Sequence, residues 1–253
     1  MFLIITRRRV LSGIAGMVVL GVSSVLLWTA GAGQPAWGPV QVAVYHTHTT
    51  ESFMPDLYGS AWRDRDPNEY SFTLDRARNM VRVGEALCRR LEELGINTVH
   101  DKTVHDVRGK AFAYQASRAT VERLLGTYPT LRLVLDLHRD APGRAQTVGT
   151  SAGAPTARIM FVIGRDNPRW RENYALAKRL LMVLLEEFPD LNRGIRMNPG
   201  KYNQDLAPHV LLVEVGGATA SLEECIRGAE RLAEVIARYL REQAPLRGVP
   251  APR

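Results

Sequence analysis

The sequence predicts an α/β fold in which a mainly parallel, twisted sheet carries helices on both faces. Strand-like apolar runs alternate with helix-like patterns after residue 40, which is the signature of successive βαβ units. Three of these runs, residues 42–48, 131–138 and 210–214, each end in a histidine or a glutamate. Because ligands of open α/β sheets bind beyond the carboxyl ends of the strands, we expect these polar residues to meet at one site.

The elements follow in a regular order along the chain. Strands are predicted at 42–48, 97–100, 131–138, 157–164 and 210–214, and helices at 80–94, 110–125, 169–188 and 221–241. Apolar residues recur at helical spacing from Met80, and Gly95 is expected to stop that helix. Ser221 followed three residues later by Glu224 predicts a capping box at the start of the last helix.

Two long segments, residues 52–75 and 139–156, resist assignment to a helix or a strand. Long connections in compact domains are usually functional loops or disorder, and both segments directly follow a polar strand end. We therefore interpret them as the walls of a substrate groove. The first contains Tyr58, Trp62 and Tyr70, whose rings can stack on a sugar or a peptide.

The N-terminus predicts a membrane anchor. Arg7, Arg8 and Arg9 precede an uncharged apolar stretch at residues 10–28, roughly the length that crosses a bilayer as a helix. The basic end is expected to stay cytoplasmic, which places the remainder outside. A cleavable signal peptide with small residues near Ala30 is the alternative, and either way the rest of the chain is exported.

These patterns predict one transmembrane helix followed by one globular domain. The predicted segments are a cytoplasmic basic region (1–9), a signal anchor (10–28), a short linker (29–39), the globular domain (40–243) and a disordered tail (244–253). The predicted location is the cell membrane, with a single pass and an extracytoplasmic domain.

Composition narrows the class of partner. The formal net charge of +7 favours an anionic partner, which outside a bacterial membrane means a wall polymer or lipid headgroups. The alternative is that the excess charge merely keeps the protein soluble. Export argues against nucleic acid. Cys88 and Cys225 fall within predicted core helices, so we expect buried thiols rather than a disulfide or metal ligands.

The polar strand ends fit a catalytic zinc centre. Such a centre takes three protein ligands from histidine and carboxylate and leaves one position for water. His46, His48, Glu51 and His138 offer more than enough ligands. In an extended chain His46 and His48 point the same way, so either can bind metal while the other orients water. Asp136 shares the strand face of His138 and is placed to accept its second ring N–H.

Glu214 lies inside an apolar strand, where a lone carboxylate is costly to bury. Beside a zinc ion it would take a proton from water and deliver it to a leaving amine. Pairing with an arginine such as Arg139 is the alternative. Such a site would cleave amide bonds without a side-chain nucleophile.

Other polar residues are weaker candidates. His100 and His105 fall in a charged stretch that we expect to be exposed, and His209 precedes the Glu214 strand and is a candidate for lining the site. Ser151 matches the G-x-S-x-G pattern, but it lacks the preceding strand and following helix that a nucleophilic serine needs.

Five blocks of sequence stand out together: Tyr-His-Thr-His-Thr-Thr-Glu-Ser-Phe-Met-Pro (45–55), Asp-Leu-His-Arg-Asp (136–140), Val-Ile-Gly-Arg-Asp-Asn-Pro (162–168), Tyr-Asn-Gln-Asp-Leu (202–206) and Leu-Val-Glu-Val-Gly-Gly (212–217). In these blocks the chain resembles the stage II sporulation protein P family of membrane-anchored peptidoglycan hydrolases. The resemblance implies an amidase-like hydrolase fold. It also implies zinc-dependent cleavage of the bond between N-acetylmuramic acid and L-alanine, with cleavage of peptide cross-links also described for the family.

The resemblance assigns roles to individual residues. It maps metal ligands to His46, His48 and His138 and the catalytic glutamate to Glu214. Glu51 also matches, and whether it binds metal or substrate stays open.

Four further residues are expected to hold substrate or shape the site: Arg139, Asn203, Gln204 and Asp205. One departure is Ala220, where the family usually has an asparagine, so one amide contact near the site is missing. The family works with a lytic transglycosylase and a membrane scaffold during engulfment of the forespore. The alternative function is an anchored, non-catalytic module that binds peptidoglycan.

Overall fold

A computed structural model describes residues 38–243 of the chain. The strands are β1 (Val42–Tyr45), β2 (Thr98–His100), β3 (Leu133–Asp140), β4 (Val148–Ser151), β5 (Ala154–Ala157), β6 (Ile159–Gly164), β7 (Asn192–Asn198) and β8 (Val210–Gly217). The α-helices are α1 (Met54–Tyr58), α2 (Pro67–Tyr70), α3 (Met80–Glu93), α4 (Lys110–Thr127), α5 (Arg144–Thr147), α6 (Trp170–Glu187) and α7 (Leu222–Glu242). Short 3-10 turns span Gly59–Asp64 and Pro189–Leu191.

Six strands form the central sheet in the order β2-β1-β3-β8-β6-β7. The first four are mutually parallel, β6 runs antiparallel to β8, and β7 runs parallel to β6. The mixed α/β class and the mainly parallel sheet are thus confirmed, with two reversed strands at one edge. Strands β4 and β5 form a separate antiparallel hairpin.

Helices cover both faces of the sheet, as predicted. Val42 and Val44 of β1 lie in the larger core cluster, together with apolar residues of α3, α6 and α7. Ala43 and Tyr45 point the other way and pack with Val121 of α4. This alternation is the period-2 geometry of a strand buried on both sides. We call the second side the α4 face.

Local sequence signals set several helix ends. The Asn79 side chain accepts a hydrogen bond from the Val81 amide at the start of α3, and Gly95, with φ of 81°, follows its end. The left-handed conformation suits glycine because no Cβ clashes there. Ser221 and Glu224 form the predicted capping box of α7.

The two segments that resisted assignment contain short elements. Residues 52–75 hold α1, α2 and the first 3-10 turn, and residues 139–156 hold α5 and most of the hairpin. The edge strand β7 was not predicted, because Asn-Arg-Gly-Ile-Arg-Met-Asn has no continuous apolar run. Its backbone pairs with β6 while its side chains stay partly exposed.

Some predictions fall on other parts of the chain. The predicted anchor at 10–28 and tail at 244–253 lie outside the described residues. Between residues 38 and 243, no helix combines the length and the apolar character needed to cross a membrane. Cys88 and Cys225 are buried free thiols, as expected.

Candidate active site

Four of the predicted site residues meet on the α4 face, at the carboxyl ends of β1, β3 and β8. His138 and Glu214 lie directly opposite each other in the register of β3 and β8. The His48 ring lies 5.3 Å from the His138 ring, centroid to centroid. Glu51 Oε2 lies 3.3 Å from His138 Nδ1. These residues lie close together because the carboxyl ends of neighbouring parallel strands lie at the same edge of the sheet.

The spacing of Glu51 and His138 fits a metal site. With zinc bonds of about 2.0–2.2 Å, two ligand atoms of a tetrahedral site lie about 3.3 Å apart, which matches the observed Glu51–His138 distance. The other ring nitrogen of His138, Nε2, lies 2.9 Å from Asp136 Oδ1, close enough for an ion pair, and makes no hydrogen bond within residues 38–243. A carboxylate behind a ligating imidazole is the usual outer partner in such sites.

Two polar atoms beside this pair have no hydrogen-bond partner in the described part of the chain, namely His48 Nδ1 and Glu214 Oε2, and both are buried. Buried polar atoms are rarely left unsatisfied, so these atoms fit a site that receives further groups. Among residues 38–243, no three His, Cys, Asp or Glu side chains are already gathered tightly enough to hold a metal ion. The ligands would therefore have to close around an ion when it binds.

His46 does not join this group. Its Nδ1–H donates to the Leu137 carbonyl at 2.9 Å, and because a carbonyl only accepts, Nε2 must accept from His100 Nε2 at 2.8 Å. Burial lowers the pKa of His46 to about 4 and that of His100 to about 2. The expectation that His46 and His48 point the same way is wrong, because β1 ends at Tyr45 and the chain turns over residues 47–50.

The two site carboxylates have opposite electrostatic environments. Burial raises the pKa of Glu214 to about 8. Burial also acts to raise the pKa of Glu51, but Arg139 and His138 outweigh it and lower that pKa to about 2. Two carboxyl groups whose pKa values are pushed apart are typical of sites in which one stays ionised and the other carries a proton.

The histidines differ in a similar way. Burial acts to lower the pKa of His138, but Asp136 and Glu51 outweigh it and raise that pKa well above the ordinary value. Burial and the neighbouring His138 lower the pKa of His48, which keeps its imidazole neutral. A neutral imidazole is the form that binds metal, so His48 already has the binding form, whereas His138 would have to release a proton when an ion binds.

A hydrogen-bonded chain holds Asp136 behind the site. The Thr47 amide donates to Asp136 Oδ1 at 2.8 Å and the Thr47 hydroxyl to Oδ2 at 2.6 Å. The Thr47 and Ser117 hydroxyls lie 2.8 Å apart, and Asn203 Nδ2 donates to Ser117 Oγ at 3.0 Å. Asn203 and its neighbour Tyr202 have left-handed φ values of 56° and 52°. Such strained backbone clusters at functional sites.

Arg139 fastens the groove wall. Its Nη2 donates to the Ser71 hydroxyl at 2.7 Å and to the Ser71 carbonyl at 3.2 Å, while Nε donates to the Ser52 carbonyl at 3.3 Å. Its backbone N–H donates to Glu51 Oε2 at 3.2 Å. The structure therefore directs this guanidinium to the 52–71 segment, and not to Glu214 as the alternative interpretation had it.

The two residues after Asn203 shape the loop beside the site. Gln204 accepts from the Gly164 amide at 3.0 Å and donates to the Val162 carbonyl at 2.7 Å, which ties the loop to β6. Asp205 forms an ion pair with Arg118 of α4 at 3.0 Å. Both side chains are thus engaged within the protein.

One residue of the site was missed. The Tyr114 ring of α4 lies 5.5 Å from the His48 ring, 6.4 Å from the His138 ring and 5.3 Å from the Tyr202 ring. It forms an aromatic wall over the two histidines. The helix was predicted, but a single tyrosine in it carries no local signal of its partner.

The weaker histidine candidates lie elsewhere. The exposure expected for His105 is wrong: it is buried, with Nδ1 2.7 Å from the His46 carbonyl and Nε2 2.9 Å from Thr120 Oγ1. His100 is partly buried against His46. His209 precedes β8 at its amino end, whereas Glu214 lies in the carboxyl half of that strand, so His209 does not line the site as expected.

Comparison with known proteins gives consistent matches. A family model described as Stage II sporulation protein P (SpoIIP) matches residues 36–237. The Stage II sporulation protein P of Bacillus subtilis (strain 168) is 34% identical over 207 residues, which cover 77% of this chain and 49% of that protein. The chain thus spans about half the length of this curated relative.

Among solved structures, the CwlD amidase from Clostridioides difficile, in complex with the GerS lipoprotein, has a similar fold. The TM-score is 0.51 at 11% sequence identity, and the match covers 80% of this chain and 97% of that one. At this identity the likeness concerns the fold alone.

Proposed function

Because the chain belongs to the stage II sporulation protein P family, we propose that it is a peptidoglycan hydrolase acting in sporulation. Its proposed reaction is hydrolysis of the amide bond between N-acetylmuramic acid and the L-alanine of the stem peptide, with cleavage of peptide cross-links as a second activity. The observation that carries the proposal is the Glu214 carboxyl opposite His138 at the sheet edge, whose Oε2 is buried and has no hydrogen-bond partner among residues 38–243. The likeness to an amidase fold supports it.

We take His48, Glu51 and His138 as the residues that would hold a zinc ion. The support is the ligand-like spacing of Glu51 and His138, the neutral His48 ring, and Asp136 behind His138. In the part of the chain that the structure describes, His48 Nδ1 has no hydrogen-bond partner. When bound, zinc would polarise the scissile carbonyl and lower the pKa of a water molecule to about 7. His46 is left out of this set because both its ring nitrogens are occupied.

Glu214 moves the proton in this proposal. Its carboxylate accepts a proton as a water oxygen bonds to the carbonyl carbon, and the carboxyl returns that proton to the amide nitrogen as the C–N bond breaks. Burial, which raises the pKa of Glu214, suits the return of the proton to the amide nitrogen, and the charge of a bound zinc ion would favour the ionised form that accepts the proton from water. The products are a free muramic carboxylate and a peptide with a free N-terminal amine.

The surrounding residues position the substrate and exclude water. Tyr114 covers one side of the histidine pair, and its ring packs against that of Tyr202. Arg139 holds the 52–71 segment on the other side through its hydrogen bond to Ser71. Within that segment, Arg65 Cζ lies 4.5 Å from the centre of the Tyr58 ring and 5.4 Å from the centre of the Tyr70 ring. These partly exposed rings offer stacking surfaces for sugar or peptide.

We also propose the cellular setting. Residues 10–28 would anchor the chain in the cell membrane with the hydrolase domain outside, since three arginines precede an uncharged apolar stretch. A lytic transglycosylase and a membrane scaffold of the sporulation machinery are the proposed partners. Their support is the family membership.

The test is a digest of purified sacculi by the full chain in detergent, with mass spectrometry of the soluble products. We expect glycan strands free of peptide and peptides that begin with L-alanine, with activity abolished by a chelator and restored by zinc. Binding to sacculi without any soluble product would overturn the proposal in favour of a wall-binding module. Products cut only within the glycan would overturn the bond assignment.

A further inference from the structure

The sheet edge beyond Glu214 carries two arginines that the proposed reaction does not use. Met160 of β6 pairs with Glu214, and Val162 of β6 pairs with Arg196 of β7. Paired residues on neighbouring strands point to the same face. Val162 packs against Tyr114 and Tyr202, so Arg196 lies on the α4 face with the site.

The distance from this edge to the site can be stated in strand spacings. Strand β7 is two strands from β8, which is about 10 Å at the usual spacing of 4.7–4.9 Å. Asp140 bridges part of that distance, since it follows His138 on β3 and its charge acts on Glu214. The register of β3 and β8 is irregular between His138 and Asp140, which re-aims the Asp140 side chain.

The charges at this edge do not balance. Asp140 Oδ2 lies 2.8 Å from Arg193 Nη2 and 3.6 Å from Arg196 Nη1, so one carboxylate faces two guanidinium groups. The Arg193 side chain is 9% exposed, and its Nη1 is buried without a hydrogen-bond partner in residues 38–243. The Arg196 side chain is 44% exposed. The Arg193 Nη1 donor therefore lacks an acceptor, and the two guanidinium groups together exceed the Asp140 carboxylate by one positive charge. An anionic ligand would satisfy both.

We propose that Arg193 and Arg196 form an anion subsite that binds a carboxylate of the stem peptide two or three residues beyond the scissile amide. This inference rests on the proposed function. An extended peptide advances about 3.3–3.6 Å per residue, so about 10 Å corresponds to about three residues. The sugars of the glycan are neutral apart from the muramic acid already in the amide bond, which leaves the peptide as the source of the anion. Arginine suits this role because its planar fork matches a carboxylate.

The test compares two synthetic muramyl tripeptides that differ only in whether the acidic side groups of the second and third residues are free carboxylates or carboxamides. Binding is measured by fluorescence anisotropy on full-length Glu214→Gln protein, which cannot turn the ligand over. We expect the carboxylate ligand to bind about tenfold more tightly, the effect of one charge-assisted hydrogen bond. In a double variant that carries both Glu214→Gln and Arg196→Gln, the two ligands should bind with about equal affinity.

Arg179→Gln is the matched control, because it removes the same charge from an exposed position on α6, on the opposite face of the sheet. It should leave the tenfold preference intact. Thermal melting of each variant shows whether it is folded, and Arg196→Lys, which keeps the charge, should retain part of the preference.

Equal binding of the two ligands, binding of neither, or a preference that survives Arg196→Gln would overturn the subsite. Cleavage by the wild-type chain separates this result from a failure of the proposed function. If both tripeptides are cleaved at equal rates, the amidase stands and the subsite fails. If neither is cleaved but the carboxylate preference in binding is present and depends on Arg196, the subsite stands and the amidase fails.

Discussion

Replacing Glu214 with glutamine should move activity and stability in opposite directions. The substitution keeps the shape of the side chain but removes the ionisable group. If Glu214 transfers the proton, the rate of hydrolysis should fall by about 10²–10⁴-fold, the usual range for a lost general acid or base. The assay is the release of soluble dye from labelled sacculi, at matched protein concentration and with zinc supplied.

The stability effect follows from the sign of the pKa shift. Burial raises the pKa of Glu214 from 4.5 to about 8, so between these values the folded, metal-free protein holds a proton that the unfolded chain has lost. Stability contributed by this group is therefore complete below about pH 4.5 and declines as the pH rises toward 8. Glutamine does not ionise and escapes this decline.

The magnitude can be bounded from the same two pKa values. The ionisation cost is at most about 4 kcal/mol at pH 8 and below about 1 kcal/mol at pH 5. Urea denaturation of chelator-treated protein should thus find Glu214→Gln more stable than wild type at pH 8, with a much smaller difference at pH 5. Glu172→Gln, an exposed glutamate of α6, is the control and should change neither activity nor the pH dependence.

Two results would refute this reasoning. A Glu214→Gln protein that still releases dye at the wild-type rate would remove the glutamate from the reaction. A variant that is less stable than wild type at pH 8 would show that the carboxyl is not held in a costly environment. Loss of activity together with loss of fold would likewise contradict the prediction.

Three further substitutions, one of them with a matched comparison, give separate tests. Asp136→Asn should weaken zinc affinity by about 10–100-fold, measured by competition with a chromophoric chelator, because the outer partner of His138 is lost; unchanged affinity would contradict this role. Gly84→Ala should lower the free energy of unfolding by about 1–3 kcal/mol, since its Cβ would lie 2.6 Å from His100 Nε2. Gly126→Ala, where no atom lies within 4 Å, should instead be neutral or stabilising, and equal effects in urea melts would refute the packing argument. Ser221→Ala should cost about 1 kcal/mol by the same measurement through loss of the α7 cap, and no change in midpoint would count against it.

The sequence alone determined the elements whose signals are local. Apolar periodicity located α3 and α7, and the capping box at Ser221 set the start of α7 to the residue. The edge rule for parallel strands also predicted that His138 and Glu214 would meet, since it needs only the strand ends. These inferences succeed because each depends on a few consecutive residues or on one general property of sheets.

Tertiary structure alone decided how the residues after β1 divide between two environments. Thr47 donates to Asp136 of β3, and the Asp101 amide donates to the Val44 carbonyl, so contacts far apart in sequence set the turn at residues 47–50. That turn sends His46 toward His100 and His48 toward His138. No spacing rule for an extended strand contains this information.

The same limit applies to the arginines. The Arg139 guanidinium is hydrogen-bonded to the 52–71 segment. Arg193 and Arg196 lie near Asp140 because they belong to the edge strand β7, which has no apolar pattern in the sequence. The sequence shows which chemical groups each residue can offer. Which neighbours satisfy them depends on hydrogen bonds and ion pairs closed across the fold, and those form only when the whole sheet is assembled.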